Sequence, residues 1–253
     1  MKNRNIVPAL LDSPGEYQRI RSVILKKTSL KRLYAEFYAR FSECVKRCPD
    51  SGPVIELGSG AGFLKNSMPE TITSDLLTYP GLDVVFDAAQ LPFQSNSVRM
   101  LCMIDVLHHI SDAELFFKEV ERCLAVGGRI FMIDQFVGWL SYFIYKYVHH
   151  EDFDPDAESW NFSSTGPLSG ANGALPTIIF VRDLTKFRNL FPNLALQQFT
   201  PHSPLKYWLA GGLKKWTLLP GWAYPAAAFV DTVLGALSPK LCSFVDIELV
   251  KTG

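Results

Sequence analysis

Residues 54–62, Val54-Ile55-Glu56-Leu57-Gly58-Ser59-Gly60-Ala61-Gly62, constrain the fold more than any other stretch of the chain. They read as a short buried strand that runs directly into a glycine loop, with a carboxylate at the junction. Glycine adopts positive φ without strain and lets backbone approach a ligand closely. A strand, a glycine turn and a following helix are how a doubly wound α/β domain builds its nucleotide site. A dinucleotide fingerprint would need a glycine where this chain has Phe63, because its pyrophosphate rests on the helix N-terminus. The spacing here is instead Gly58-x-Gly60-x-Gly62, and Glu56 would repel a pyrophosphate. The plain alternative is a tight strand-to-helix turn that binds nothing.

Strand-like segments follow in order. After a short helix over about residues 63–68, Ile72–Asp75 reads as a second strand ending in an acid 17 residues beyond Gly58. A Rossmann-type fold places a ribose-gripping carboxylate near that distance. Residues 84–88 form a third strand ending at Asp87-Ala88, with Leu91-Pro92-Phe93 after it. Residues 98–105 form a buried fourth, running into Val106-Leu107-His108-His109-Ile110. A helix over about 112–124 is expected to end at Gly127-Gly128, which open a fifth strand at 129–134. Asp75 and Asp87 each also have a structural reading, since Asp caps helices and starts turns.

Glu56 with this glycine spacing resembles motif I of the class I S-adenosylmethionine-dependent methyltransferases. Residues 87–93 are similar to the family's D-A-x-x-L-P-F segment and residues 106–110 to its V-L-H-H-I turn, so a methyltransferase-11-like resemblance covers residues 53–135 without a gap. It implies an α/β fold: a Rossmann-like seven-stranded mixed sheet with helices on both faces, with residues 194–199 as sixth strand and 244–250 as seventh. It implies S-adenosyl-L-methionine as cofactor, held by Glu56, Gly58, Ser59, Gly60, Gly62, Asp75, Leu76, Asp87, Ala88 and Asp105. In that arrangement the loop wraps the amino-acid end and Glu56 supports the ammonium. Asp75 takes the ribose, Asp87 accepts from the adenine amino group, and Asp105 shapes the methionine pocket. Two other classes stay open. A nicotinamide oxidoreductase would need the missing glycine and a hydride-site pair, and a non-catalytic cofactor-binding subunit would keep motif I without a usable base.

The 253 residues suffice for one core with elaborations: a helical lead-in at 1–50 and a methyltransferase domain at 51–253. Within the latter lie the cofactor-binding core at 53–135 and substrate-side elaborations at 136–176 and 203–240, the second an insertion between the last two strands. Helical periodicity runs from about 16 to 45 through Ile20, Val23, Ile24, Leu30, Leu33, Tyr34, Phe37 and Phe41. These helices are expected to pack beside the first strand and partly cover the cofactor mouth. Residues 1–50 hold eleven Lys/Arg against five Asp/Glu in a chain of zero formal net charge. The excess reads as a solvated helix face or as a surface for an anionic partner.

The substrate side is aromatic. Residues 136–148, Phe136 through Val148, suit a lipid interface, a hydrophobic acceptor pocket or an ordinary buried helix, and are too short to span a membrane. Residues 149–176 read as a long polar loop. Trp160 and Asn172 are side chains of the kind that bind sugars, although Trp160 also suits a loop anchor. Residues 205–238 add Tyr207, Trp208, Trp216 and Trp222 and read as a substrate cap or a peripheral membrane contact. Alternation through Phe244, Asp246 and Glu248 predicts a last strand with one buried face.

For a hydroxyl acceptor a base is required. The candidates are His109, after the fourth strand, and His150, opening the acidic loop, with Glu151 to orient such a base. The expected reaction is O-methylation of a small molecule, a glycan or lipid-linked sugar precursor first, with a quinone or lipid as the alternative. No nucleic-acid partner is expected, because no basic groove interleaved with aromatics is visible outside the lead-in. No metal is expected: Cys44 and Cys48 lack a second ligand pair. Five cysteines without a disulfide-like framework, and an early apolar stretch broken by Pro8 and Asp12, point to a cytoplasmic protein. Peripheral contact with the inner face of the membrane stays open.

Overall fold

The structure, a computed structural model, describes residues 14–60, 63–148, 151–164, 166 and 170–253. The expected sites Gly62 and His150 lie outside the described residues.

Two helices lead in, α1 (Pro14–Lys26) and α2 (Thr28–Val45). The strands are β1 (Val54–Glu56), β2 (Ile72–Asp75), β3 (Val84–Val85) and β4 (Val98–Ile104). Helix α3 (Ala113–Cys123), capped by the Asp112 carboxylate accepting from the Leu115 N–H, leads into β5 (Leu124–Gln135). Helix α4 (Leu184–Leu190) precedes β6 (Leu194–His202), and α5 (Tyr224–Leu237) precedes β7 (Phe244–Lys251). The sheet order is β3-β2-β1-β4-β5-β7-β6; β1 to β5 are parallel and β7 runs antiparallel between β5 and β6. Strand order reverses at β1 and β4, and ligands of open α/β sheets bind in the crevice beyond the strand ends at that point.

Alternation divides the core between the faces. In β4, Leu101 and Met103 join Phe116, Phe117 and Phe187 on one face. Met100 and Cys102 join Leu30, Leu33, Phe37 and Phe41 of α2 on the other. Burying one such side chain contributes about 1.5–3 kcal/mol, so α2 is held by its apolar stripe. The expected lead-in periodicity is present, broken at Lys27, whose buried ammonium donates to the Ala210 and Gly212 carbonyls at 3.0 and 2.9 Å. The lead-in is thereby tied to the insertion between β6 and β7.

Four expectations need correction. The segment after the glycine loop forms only a 3-10 turn, Leu64–Asn66. Strand β5 starts at Leu124, so Gly127 and Gly128 lie inside it, at a register shift against β4. Gly127 has φ +81°, and a side chain on Gly128 would meet the Val98 carbonyl oxygen at 3.0 Å, which is why a bulge here takes glycine.

β7 is buried on both faces rather than one. Its acidic side lies under α2, where Arg40 meets Asp246 at 2.6 Å and Arg47 meets Glu248 at 2.5 Å, with Arg129 also on Glu248. Part of the basic lead-in is therefore spent on acids of its own chain, where the sequence suggested solvent or an anionic partner.

Trp160 and Asn172 are not presented to a ligand. Trp160 is fully buried against Phe187 and donates its Nε1–H to Asp183, while the Asn172 side chain bonds Asp154 on both sides of its amide.

Candidate active site

A cavity of about 1330 Å³ opens beyond the C-terminal ends of β1, β2 and β4. Drug-sized ligands occupy sites of about 300–1,000 Å³, so this one has room for a cofactor and an acceptor together. Its walls come from the glycine loop, the ends of β2 and β4, the lead-in helices and the two aromatic elaborations.

At one end, Gly58 and Gly60 have φ of +61° and +48°. A Cβ on Gly58 would lie 2.5 Å from Val106 Cγ2, so the glycine loop and the turn after β4 interlock only because this residue has no side chain. Glu56 is 3 % exposed, and its Oε2 has no hydrogen-bond partner among the described residues. Burial pushes its pKa up to about 8. Ser59 Oγ is 3.1 Å from the Ser74 amide and 3.3 Å from the Glu56 carbonyl, clamping β1 to β2. Asp75 accepts from the Gly60 amide and the Tyr79 hydroxyl, each at 3.2 Å. Asp87 closes its own turn through the Ala89 amide, with Leu76 and Ala88 beside it on the wall.

At the other end, four short stretches bring titratable groups together. Asp105 follows β4 with φ +54°, and burial followed by the charge on Asp134 raises its pKa to about 8. The fully buried Asp134 carboxylate, at the end of β5, accepts from the Leu107 and Gln135 amides at 2.9 and 2.7 Å and from His108 Nδ1 at 2.6 Å. His108 Nε2 is 3.4 Å from Glu151 Oε2. Burial opposes charge on this ring, but Asp134 and Glu151 outweigh it and hold its pKa above the ordinary value.

His109 differs from its neighbour. Its Nδ1 lies 2.9 Å from the Gly170 carbonyl oxygen, which can only accept, so Nδ1 carries the proton and Nε2 is left with its lone pair. Burial, then the charge on His108, lower its pKa. Its Nε2 stands 3.8 Å from Glu151 Oε1. Burial of the loop at 170–175 makes this possible, since the Asn172 amide donates to the His108 carbonyl and seats Gly170 over the ring.

The structure thus brings Glu56, Gly58, Ser59, Gly60, Asp75, Leu76, Asp87, Ala88, Asp105 and His109 around one cavity. The sequence reading missed His108, Asp134 and Gln135. One signal was available: Asp105 and Asp134 are acids at the C-terminal ends of adjacent parallel strands, where such a sheet places its site. Two sets, His108 with His109 and Glu151, and Asp105 with His108 and Asp134, have donor atoms within 4.8 Å of one another. In the first set Gln135 Nε2 already lies 3.1 Å from Glu151 Oε2 and 3.2 Å from His108 Nε2.

Sheet order, glycine loop and cavity define the fold of the class I S-adenosylmethionine-dependent methyltransferases. Residues 55–132 match the family described as methyltransferase domain, and the chain is a methyltransferase with S-adenosyl-L-methionine as its cofactor. A similar solved structure is geranyl diphosphate C-methyltransferase from Streptomyces coelicolor A3(2), in complex with Mg2+, geranyl diphosphate and S-adenosyl-L-homocysteine. It is 13% identical with a TM-score of 0.51, over 88% of this chain and 82% of that one. A putative methyltransferase from Bacillus halodurans C-125 is 12% identical with a TM-score of 0.48, over 85% and 99% of the two chains. A search of curated proteins gave no match. The cofactor fits the residues present: an unpartnered buried carboxyl oxygen on Glu56 suits an ammonium, and the positive-φ glycines leave room beside it.

Proposed function

We propose that the protein transfers a methyl group to a hydroxyl of a small lipophilic acceptor, with His109 as general base. The acceptor lies in the aromatic part of the cavity, between the glycine loop and Tyr145, Tyr207 and Trp208. Glu56, Gly58, Ser59, Gly60, Asp75, Leu76, Asp87, Ala88 and Asp105 hold the cofactor.

The single observation that carries the reading is the committed tautomer of His109, which leaves Nε2 free of hydrogen and facing Glu151 across 3.8 Å. An acceptor hydroxyl in the cavity donates to that Nε2 lone pair. Bound S-adenosylmethionine supplies a methyl already activated on sulfur. His109 Nε2 would take the proton of the acceptor hydroxyl as that oxygen is methylated, and Glu151 would hold the hydroxyl toward the ring. His108 and Gln135 hold Glu151 in place. The cavity walls exclude water and align the groups, which is the larger share of catalysis for an activated donor.

A glycan or lipid-linked sugar acceptor rests on the polar loop beside the aromatic wall, and the two sugar-binding kinds of side chain in that loop, Trp160 and Asn172, are used inside the fold. The aromatic walls favour the quinone or lipid class instead. The five cysteines, all unpaired by disulfides, support a cytoplasmic setting. Among the described residues no helix is long and apolar enough to cross a membrane.

The test is His109→Gln against a panel of hydroxylated quinones and lipids. Removing a general base lowers kcat by about 10²–10⁴-fold and leaves cofactor affinity unchanged. The wild-type rate falls on the acid side with a midpoint below about 6.5, the ordinary imidazole value, because burial lowers the His109 pKa. Full activity of His109→Gln would remove His109 from the mechanism.

A further inference from the structure

We propose that the two aromatic elaborations form one docking surface for an anionic lipid bilayer, with the acceptor entrance at its edge. This deepens the reading above, because a bilayer is where a lipophilic acceptor resides.

Helix α5 is turned inside out. Its two buried residues are Tyr224 and Asp231, and Asp231 Oδ1 accepts from the Leu205 and Lys206 amides at 2.8 and 3.1 Å. Its outward face carries Phe229, Val230, Val233 and Leu237, and Trp222 just before it is 85 % exposed. Ordinary packing would bury these residues and expose the acid. The stretch after β5 does the same: Trp139, Phe143 and Tyr147 are each 60 % exposed or more.

The two stretches adjoin. Both the turn Trp139–Phe143 and α5 pack against Pro239–Leu241, where the Lys240 ammonium lies 5.6 Å from the centre of the Trp139 ring. Val148 and Trp216, exposed in the same two stretches, also line the cavity. Apolar surface therefore runs from α5 to the entrance.

Charge selects the occupant. Across residues 136–148 and 205–243 the one acid is Asp231, turned inward, while Lys146, Lys214, Lys215 and Lys240 are exposed. A helix with an apolar outer face, flanked by Trp, Tyr and Lys and too short to span, lies in the headgroup region. Of the four, Lys146 has an acid near it, Asp156; a second copy meeting this face across a two-fold axis would set Lys214, Lys215 and Lys240 against their own counterparts. Anionic headgroups answer these three.

The test is co-flotation of the full chain with phosphatidylcholine vesicles, with and without phosphatidylglycerol, in the absence of acceptor. Binding is expected only with phosphatidylglycerol and weakens with salt. Lys214→Gln with Lys215→Gln weakens it by up to about 30-fold, at about 1 kcal/mol per lysine near an anionic surface. Trp222→Ser with Phe229→Ser abolishes it, while the melting temperature, which reports folding, stays unchanged. Failure to float with either vesicle, or equal flotation of the variants, overturns the proposal. So does a dimer in sedimentation velocity that Trp222→Ser with Phe229→Ser dissolves. Cofactor affinity, measured by calorimetry on the same samples, is independent of these outcomes and keeps a failure here apart from a failure of the methyltransferase reading.

Discussion

His108 Nδ1 lies 2.6 Å from Asp134 Oδ1 in a place neither residue shares with solvent. The Asp134 carboxylate also receives the Leu107 and Gln135 amides, so three donors converge on a group that can only accept. Asp134→Asn turns an NH2 toward one of them. An unmatched buried donor costs about 1–3 kcal/mol, and denaturant unfolding should show a loss of that size. The same change removes one of the two charges, Asp134 and Glu151, that outweigh burial at His108. A pH titration of the ring 15N signals should therefore show a lower His108 pKa in the variant than in the wild type; an unchanged titration would show that Glu151 alone sets it.

What could be read in the sequence was what local chemistry decides. The glycine loop, the acids closing β2 and β4, and the apolar stripe of α2 each depend on residues a few positions apart. β7 shows the limit: its alternation is real, but both faces are buried because Arg40 and Arg47 arrive from about 200 positions away. Trp160 shows it again, since nothing nearby in sequence reveals that Asp183 and Phe187 receive it. The site cluster joins a turn, a strand end and a loop at residues 108, 134 and 151, and no spacing rule connects them.

Gly58→Ala should weaken the protein at the loop itself. The backbone at φ +61° costs an L-residue about 1–2 kcal/mol, and the new Cβ lies 2.5 Å from Val106 Cγ2. Unfolding should report at least the backbone cost, and calorimetry a loss of S-adenosylmethionine affinity. Adding Val106→Ala relieves the collision and leaves the backbone cost, so it should restore part of the loss. A single variant as stable and as tight-binding as wild type would show that the loop relaxes freely.

Arg40→Met tests the union of lead-in and sheet. Asp246 is 5 % exposed, and Arg40 reaches it at 2.6 Å. Stranding a buried charge costs about 3–5 kcal/mol, but His202 Nε2, 3.0 Å from the same Asp246 oxygen, stays beside it. Arg40 is itself partly exposed and water can replace some of its contact, so about 1–3 kcal/mol is the expected loss. Pairing it with Asp246→Leu should recover most of this, as measured by the denaturant midpoint. Failure of the second change to recover stability would mean that Arg40 acts through its guanidinium over the Phe37 ring.

The two raised carboxyls make cofactor binding a proton-releasing event. Glu56 and Asp105 both have pKa values of about 8, so at pH 7 each is mostly protonated before the cofactor arrives. The ammonium and sulfonium favour the ionised forms and lower both values, and protons must leave as the pKa falls. Calorimetry in buffers of different ionisation enthalpy should therefore detect release of about one to two protons at pH 7. The release should fade above pH 9, where both groups are already ionised, and again well below pH 5, where neither ionises readily. Glu56→Gln should remove about one of these protons. Binding with no proton exchange at pH 7 would place the cofactor's positive charges away from Glu56, and the ammonium would then need another partner in the glycine loop.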